Sequence, residues 1–151
     1  MMPQSLSQVV IHIIFSTKQR EPFLDEEIIK AMHGYLASCA RELDWECYRA
    51  GGIEDHVHLA VRQPRTGSLS DFMGHTKRTS TKWIRNKGDQ YQSFSWQGGY
   101  GAFSVGYSQL ENLIRYIDNQ KEHHQKMTTQ EEFRMFLKKY RIDYDERYVW
   151  D

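Results

Sequence analysis

Residues 55–62, Asp-His-Val-His-Leu-Ala-Val-Arg, alternate strictly along the chain. Successive side chains of an extended segment point to opposite faces, so Val57, Leu59 and Val61 share one face and His56, His58 and Ala60 the other. This pattern predicts a half-buried strand and excludes an all-helical fold. Three more segments read as strands: Gln8-Val-Val-Ile-His-Ile-Ile-Phe15, Trp45 to Ala50, and a short one near Ala102-Phe103-Ser104-Val105. Gly51-Gly52 punctuates the second, and Pro64 with Gly67 ends the alternating one. Between them, a helix opened by Asp25 places Ile28, Ile29, Met32, Tyr35, Leu36, Cys39 and Leu43 on one side. A second helix starts at Ser68, with Asp71 three residues on, and runs to about Asn86; its apolar side holds Leu69, Phe72, Met73, Trp83 and Ile84. Ser108 with Glu111 reads as a capping box for a third helix reaching about Gln120. A short helical pattern around Phe133, Phe136 and Leu137 follows, then an acidic tail. Strand, helix, strand, strand, helix, strand is the order of a ferredoxin-like (RRM-like) α+β sandwich. The expectation is one domain, 1–151, with an antiparallel four-stranded sheet, helices on one face, and a further C-terminal helix carrying Tyr116.

Composition narrows the function classes. The longest apolar stretch, Val9 to Phe15, is interrupted by His12 and falls far short of the ~20 residues of a bilayer span. The segment MMPQSLSQ has no basic region leading into an apolar run, so no signal peptide is expected. Cys39 and Cys47 are too few for a disulfide framework, which points to a reducing cytoplasmic setting. With 20 Lys+Arg against 20 Asp+Glu, bulk charge cannot coat nucleic acid, although a local basic face can still hold phosphates.

Three features can carry chemistry. Two imidazoles at i and i+2 of a strand, His56 and His58, stand about 6.6 Å apart at Cα and can converge on one cation. The bland reading is a pair of strand histidines hydrogen-bonded at a sheet surface. On the third helix, Tyr116 and Gln120 fall about 40° apart beside the stripe of Leu110, Leu113, Ile114 and Ile117. They are either a boundary pair or a nucleophile and an amide-oxygen ligand acting at one centre with the histidines. On the second helix, Lys77, Arg78, Lys82 and Arg85 occupy the side opposite the apolar residues. Gly74 to Gly88 holds five Lys/Arg and no acid. This is either a solvated face or a phosphate-binding one, which Lys18 and Arg20 would extend. His12, alone in an apolar strand, reads as a core histidine with its hydrogen bonds satisfied.

These segments together resemble a known family, the small single-tyrosine HUH transposases of the IS200 type and their REP-associated relatives. The resemblance runs in order through His12-Ile-Ile-Phe-Ser-Thr-Lys18, Gly51-Gly-Ile-Glu-Asp-His-Val-His58 and Trp96-Gln-Gly-Gly-Tyr-Gly-Ala-Phe-Ser104. It continues in Tyr116-Ile-Asp-Asn-Gln-Lys-Glu-His-His124 and Asp145-Glu-Arg-Tyr148. It implies that His56, His58 and Gln120 hold a divalent metal and that Tyr116 is the nucleophile. It further implies single-stranded DNA as substrate, with hairpin-containing ends of a mobile element, and a homodimer whose strands join into one sheet.

The chemistry accords with those residues. A phenol of pKa about 10 is a weak nucleophile at pH 7 and needs help at the phosphate. A divalent ion on three neutral ligands keeps its charge for the scissile group. Attack leaves a 5′-phosphotyrosine and a free 3′-hydroxyl, and the retained ester lets a second hydroxyl rejoin the strands. Imidazoles favour zinc, nickel or copper, whereas phosphoryl transfer usually runs on magnesium or manganese, so Mg2+ or Mn2+ is expected. The alternatives are a nucleic-acid-binding module without catalysis and a domesticated, repeat-processing relative with the same chemistry.

Overall fold

A computed structural model of the chain describes residues 3–151. Four antiparallel strands, β1 (Val9–Ser16), β2 (Glu46–Ile53), β3 (His56–Gln63) and β4 (Gly101–Val105), pair in the order β2-β3-β1-β4. This is the α+β sandwich expected. The central strands β1 and β3 run in register from Val9 opposite Gln63 to Ser16 opposite His56, which puts His12, His56 and His58 on one face.

The helices α1 (Ile29–Glu42) and α2 (Leu69–Arg85) cover the opposite, apolar face. Phe15, Leu36, Val57, Leu59 and Phe72 are fully buried between them and the sheet. Trp45 stacks on Phe72 with ring centres 4.3 Å apart. Each large side chain removed from water here contributes roughly 1.5–3 kcal/mol. As expected, Ser68 starts α2, its hydroxyl oxygen accepting from the Asp71 backbone N–H at 3.1 Å.

The histidine face departs from the expectation. It is roofed by α3 (Leu110–Asp118), α4 (Gln120–His123) and α5 (Thr129–Lys139). Val10 and Ala60 pack beneath Leu110, Leu113 and Ile117, and Ile14 and Phe103 beneath Phe133, Phe136 and Leu137. Residues 56–61 are therefore buried on both sides, rather than on one as the alternation suggests. Alternation reports which side chains share a face, and here the face with histidines is covered as well.

Two local readings are also corrected. Gly51 and Gly52 do not end β2, which continues to Ile53. Their role is close approach: a Cβ on Gly51 would stand 2.6 Å from Ile117 Cγ2, and Gly52 has φ 142° against the His56 carbonyl. Ser108 and Glu111 form no capping box, because Tyr107–Gln109 makes a separate 3-10 turn and Gln109 takes the cap position without a side-chain bond. The capping box lies at α5, where Thr128 Oγ1 accepts from the Glu131 N–H and the Glu131 carboxylate accepts from the Thr128 N–H.

Gly51→Ala forces α3 off the sheet and should lower stability by about 1–3 kcal/mol. A urea midpoint equal to wild type would show that Ile117 and its helix move aside freely.

Candidate active site

Strand β3 places the His56 and His58 rings side by side under the three-helix roof, both fully buried. The roof supplies Tyr116 from α3, Gln120 from α4, His124 just after it, and Glu132 from α5. Helices α3 and α4 are separate, broken at Asn119, so Tyr116 and Gln120 are not on one continuous helix. The break does not part them, since both reach the same carboxylate.

That carboxylate, Glu132, is the hub. Its Oε1 accepts from His58 Nε2 at 3.0 Å and from His124 Nε2 at 3.2 Å, and lies 3.3 Å from His56 Nε2. Its Oε2 accepts from Gln120 Nε2 at 3.0 Å and from the Tyr116 hydroxyl. The Gln120 carbonyl oxygen in turn accepts from His56 Nε2 at 2.9 Å. Behind the ligand atoms, Asp55 Oδ1 accepts from His56 Nδ1 at 2.8 Å, and Thr129 donates to the same carboxylate. His58 Nδ1 meets His12 Nε2 at 2.7 Å. His12 is buried and hydrogen-bonded, as expected, and it braces His58 from below. Such contacts on the far nitrogen fix the ring and its tautomer. The ring of Tyr116 is held by His123, stacked with centres 4.5 Å apart.

The charges follow from this packing. Burial opposes a charge on His56, but Asp55 and Glu132 outweigh it and hold the imidazole up to about 9. Burial dominates at His58 and pushes it down to about 4. Burial would raise Glu132, yet hydrogen bonds from His124, His56 and His58 hold it well below the usual carboxylate range. Burial, then Glu132, pushes the Tyr116 phenol well above its ordinary value.

The donor set fits a divalent ion. His56, His58 and Glu132 each bring a ligand atom within 4.8 Å of the others, all buried. Donors about 2.1 Å from one ion stand roughly 3.0–3.4 Å apart, which the 3.0 and 3.3 Å separations from Glu132 match. Gln120 borders this group. A carboxylate among the donors alters the expected charge balance of three neutral ligands. It also relieves the preference of imidazoles for zinc or copper, since oxygen donors suit magnesium and manganese.

The basic residues divide by what they touch. Lys77 Nζ donates to the Gln97 and Gly99 carbonyls, both at 2.8 Å, and burial lowers it to about 8. Arg85 donates twice to the Phe94 carbonyl, at 2.9 and 2.7 Å. Both pin the 94–99 segment against α2. Between that segment and α2 runs a cleft of about 670 Å³, into which Arg78, Thr81, Lys82 and Asn86 also face. Lys18 is exposed after β1, and the Arg20 guanidinium lies 5.7 Å over the Trp150 ring.

Sequence reasoning missed Glu132 and Asp55, and it read His123-His124 as a solvated helix end rather than a metal pair, whereas His124 meets Glu132. A signal for Glu132 existed: it precedes Phe136 by one helical turn, placing a carboxylate inside the apolar stripe of α5.

Residues 5–120 match the family described as Transposase IS200 like, and the chain belongs to that family. The match includes His56, His58, Tyr116 and Gln120, whereas Glu132 lies beyond it. A presumed transposase from Deinococcus radiodurans R1 shares the fold at a TM-score of 0.62 and 21% identity, over 80% of this chain and 96% of that one. A REP-associated tyrosine transposase bound to a REP hairpin superposes at a TM-score of 0.59 and 12% identity, over 82% of this chain and 74% of that one. No curated protein sequence matches the chain.

The raised His56 gives a pH test in chelator-treated protein. Its stabilisation is full below the unfolded value near 6.5 and is lost as pH rises through about 9. Wild type minus His56→Gln should therefore shrink by up to about 3 kcal/mol over that window in urea titrations. A constant difference would show that Asp55 and Glu132 do not hold the charged ring.

Proposed function

We propose that the chain is a metal-dependent single-stranded DNA endonuclease and strand transferase, with Tyr116 as nucleophile and hairpin-bearing element ends as substrate. The observation that carries this is the Tyr116 hydroxyl donating to Glu132, the same carboxylate that accepts from His58. A nucleophile's oxygen and a metal-capable group thus share one buried residue. Membership in a transposase family supports the same reaction class.

In this reading His56, His58 and Glu132 hold the ion, with Gln120 beside them. A divalent cation held by these residues would polarise the scissile phosphate and offset the carboxylate charge beside the phenol. The Tyr116 oxygen attacks phosphorus, the O3′–P bond breaks, and a 5′-phosphotyrosine and a 3′-hydroxyl result. Glu132 Oε2 accepts the phenol's hydrogen bond and orients it, and the proton ends on the departing O3′. His123 stacked on the ring limits its rotation, and the roof of α3, α4 and α5 keeps water from the ester. Reversal by another 3′-hydroxyl rejoins strands with no nucleotide cofactor. Arg78 and Lys82 in the α2 cleft neutralise phosphates of the bound strand.

The homodimer implied by the resemblance would join edge strands, β2 or β4. Within one chain the Tyr116 ring stands 5.9 Å from the His58 ring, centre to centre. Among the described residues no helix is long and apolar enough to cross a membrane.

The test incubates the protein with labelled single- and double-stranded element ends, with Mn2+ or chelator. The expected result is a metal-dependent covalent adduct on the Tyr116 peptide, from single strands only. Tight binding without an adduct would instead favour a non-catalytic module. Tyr116→Phe should abolish the adduct, a loss of at least about 10³-fold, with hairpin binding retained. His58→Ala should abolish it as well; chelator-resistant cleavage would remove the metal from the mechanism. In binding titrations against salt, Lys82→Ala should reduce the log–log slope by about one, and Arg85→Ala by less, because Arg85 is already committed to Phe94. Equal slopes for both variants would contradict the cleft assignment.

A further inference from the structure

Tyr116 is a wall shared by two spaces. One side of it faces the His56, His58 and Glu132 group. On the other, between β4, α3 and α5, lies a cavity of about 350 Å³ lined by His12, Asn112, Tyr116, Phe136, Lys139 and Tyr140, among others. Nothing in the cleavage chemistry proposed above uses it.

We propose that this cavity receives one unpaired nucleobase, that of a nucleotide adjoining the phosphate attacked by Tyr116. The inference rests on the single-strand reading of the site, and its occupant follows from size, chemistry and position. The volume sits at the small end of ligand sites, about 300–1,000 Å³, so it admits one base and excludes a hairpin or duplex. Its walls are aromatic: Phe136 stands edge-on to Tyr116 at 5.8 Å, and to His12 at 5.0 Å. Such walls hold bases by stacking, whatever the base, because each has a π-face.

The rim is polar and carries no carboxylate among its lining residues. Gln109 uses its side-chain oxygen to accept from Asn112, which leaves its amide N–H groups to reach a base edge. Lys139, at the C-terminal end of α5, sets its ammonium 5.8 Å over the Tyr140 ring, where it can meet the phosphate of the same nucleotide. A base drawn into this space turns its nucleotide out of the strand and presents the adjoining phosphate to the phenol. That is how enzymes reach atoms hidden in stacked nucleic acid. Tyr140 is itself anchored, its hydroxyl donating to the Ser104 carbonyl at 3.0 Å, so the cavity is built before the base arrives.

The experiment uses full-length Tyr116→Phe protein and single-stranded element ends, each carrying 5-iodouracil at one nucleotide. Ultraviolet crosslinking and peptide mapping then locate each base. The expected crosslink joins one position to Met135, Phe136 or Tyr140. Crosslinks confined to the α2 cleft would overturn the proposal. In the wild-type chain, removing that base should slow adduct formation about 10-fold. The same removal should have no further effect in Tyr140→Ala and full effect in Tyr140→Phe, which keeps the ring and loses only the hydroxyl. An undiminished effect in Tyr140→Ala would also overturn it. The two readings fail separately. An adduct with crosslinks elsewhere sinks the cavity alone, whereas a crosslink to α5 with no adduct from any strand sinks the cleavage reaction and leaves the cavity standing.

Discussion

The structure turns on one buried carboxylate. Glu132 is removed from water in a region otherwise roofed by apolar side chains, and an isolated charge there would cost several kcal/mol. It persists because both oxygens are fully engaged, by His58 and His124 on one and by Gln120 and Tyr116 on the other. Those partners come from β3, α3, α4 and the turn after it. Satisfying one side chain thus fixes the relation of three helices to the central strand. The arrangement that makes the charge tolerable is the arrangement that gathers three imidazoles, an amide and a phenol at one point.

Position and chemistry were legible in the sequence to different degrees. The strand with His56 and His58 could be read because its period of two is local and needs no knowledge of what covers it. The sandwich followed from element order. What covers the histidine face could not be read, since the contact from His58 to Glu132 spans 74 residues. Local signals misled where competing local structure prevailed. Ser108 and Glu111 match a capping box by spacing, yet a 3-10 turn occupies the place where the helix would begin. Gly51-Gly52 looks like punctuation, but the glycines are there because α3 and the His56 carbonyl come too close for a side chain.

The basic helix shows the same distinction between charge and availability. Lys77, Arg78, Lys82 and Arg85 look equivalent on a helical projection. The fold spends two of them on backbone carbonyls of the 94–99 segment and leaves two facing the cleft. A carbonyl-bound guanidinium still contributes field, but its hydrogen bonds are already made. Counting cations along a helix therefore overstates how many phosphates it can grip.

The distance in sequence between β3 and α5 has a consequence for the newly made chain. Long-range contacts form late, after the entropy of closing the intervening loop has been overcome. A chain still on the ribosome, with α5 not yet emerged, lacks the carboxylate that gathers its histidines. Under the function proposed above, such a chain holds Tyr116 before α5 has supplied the carboxylate its hydroxyl meets.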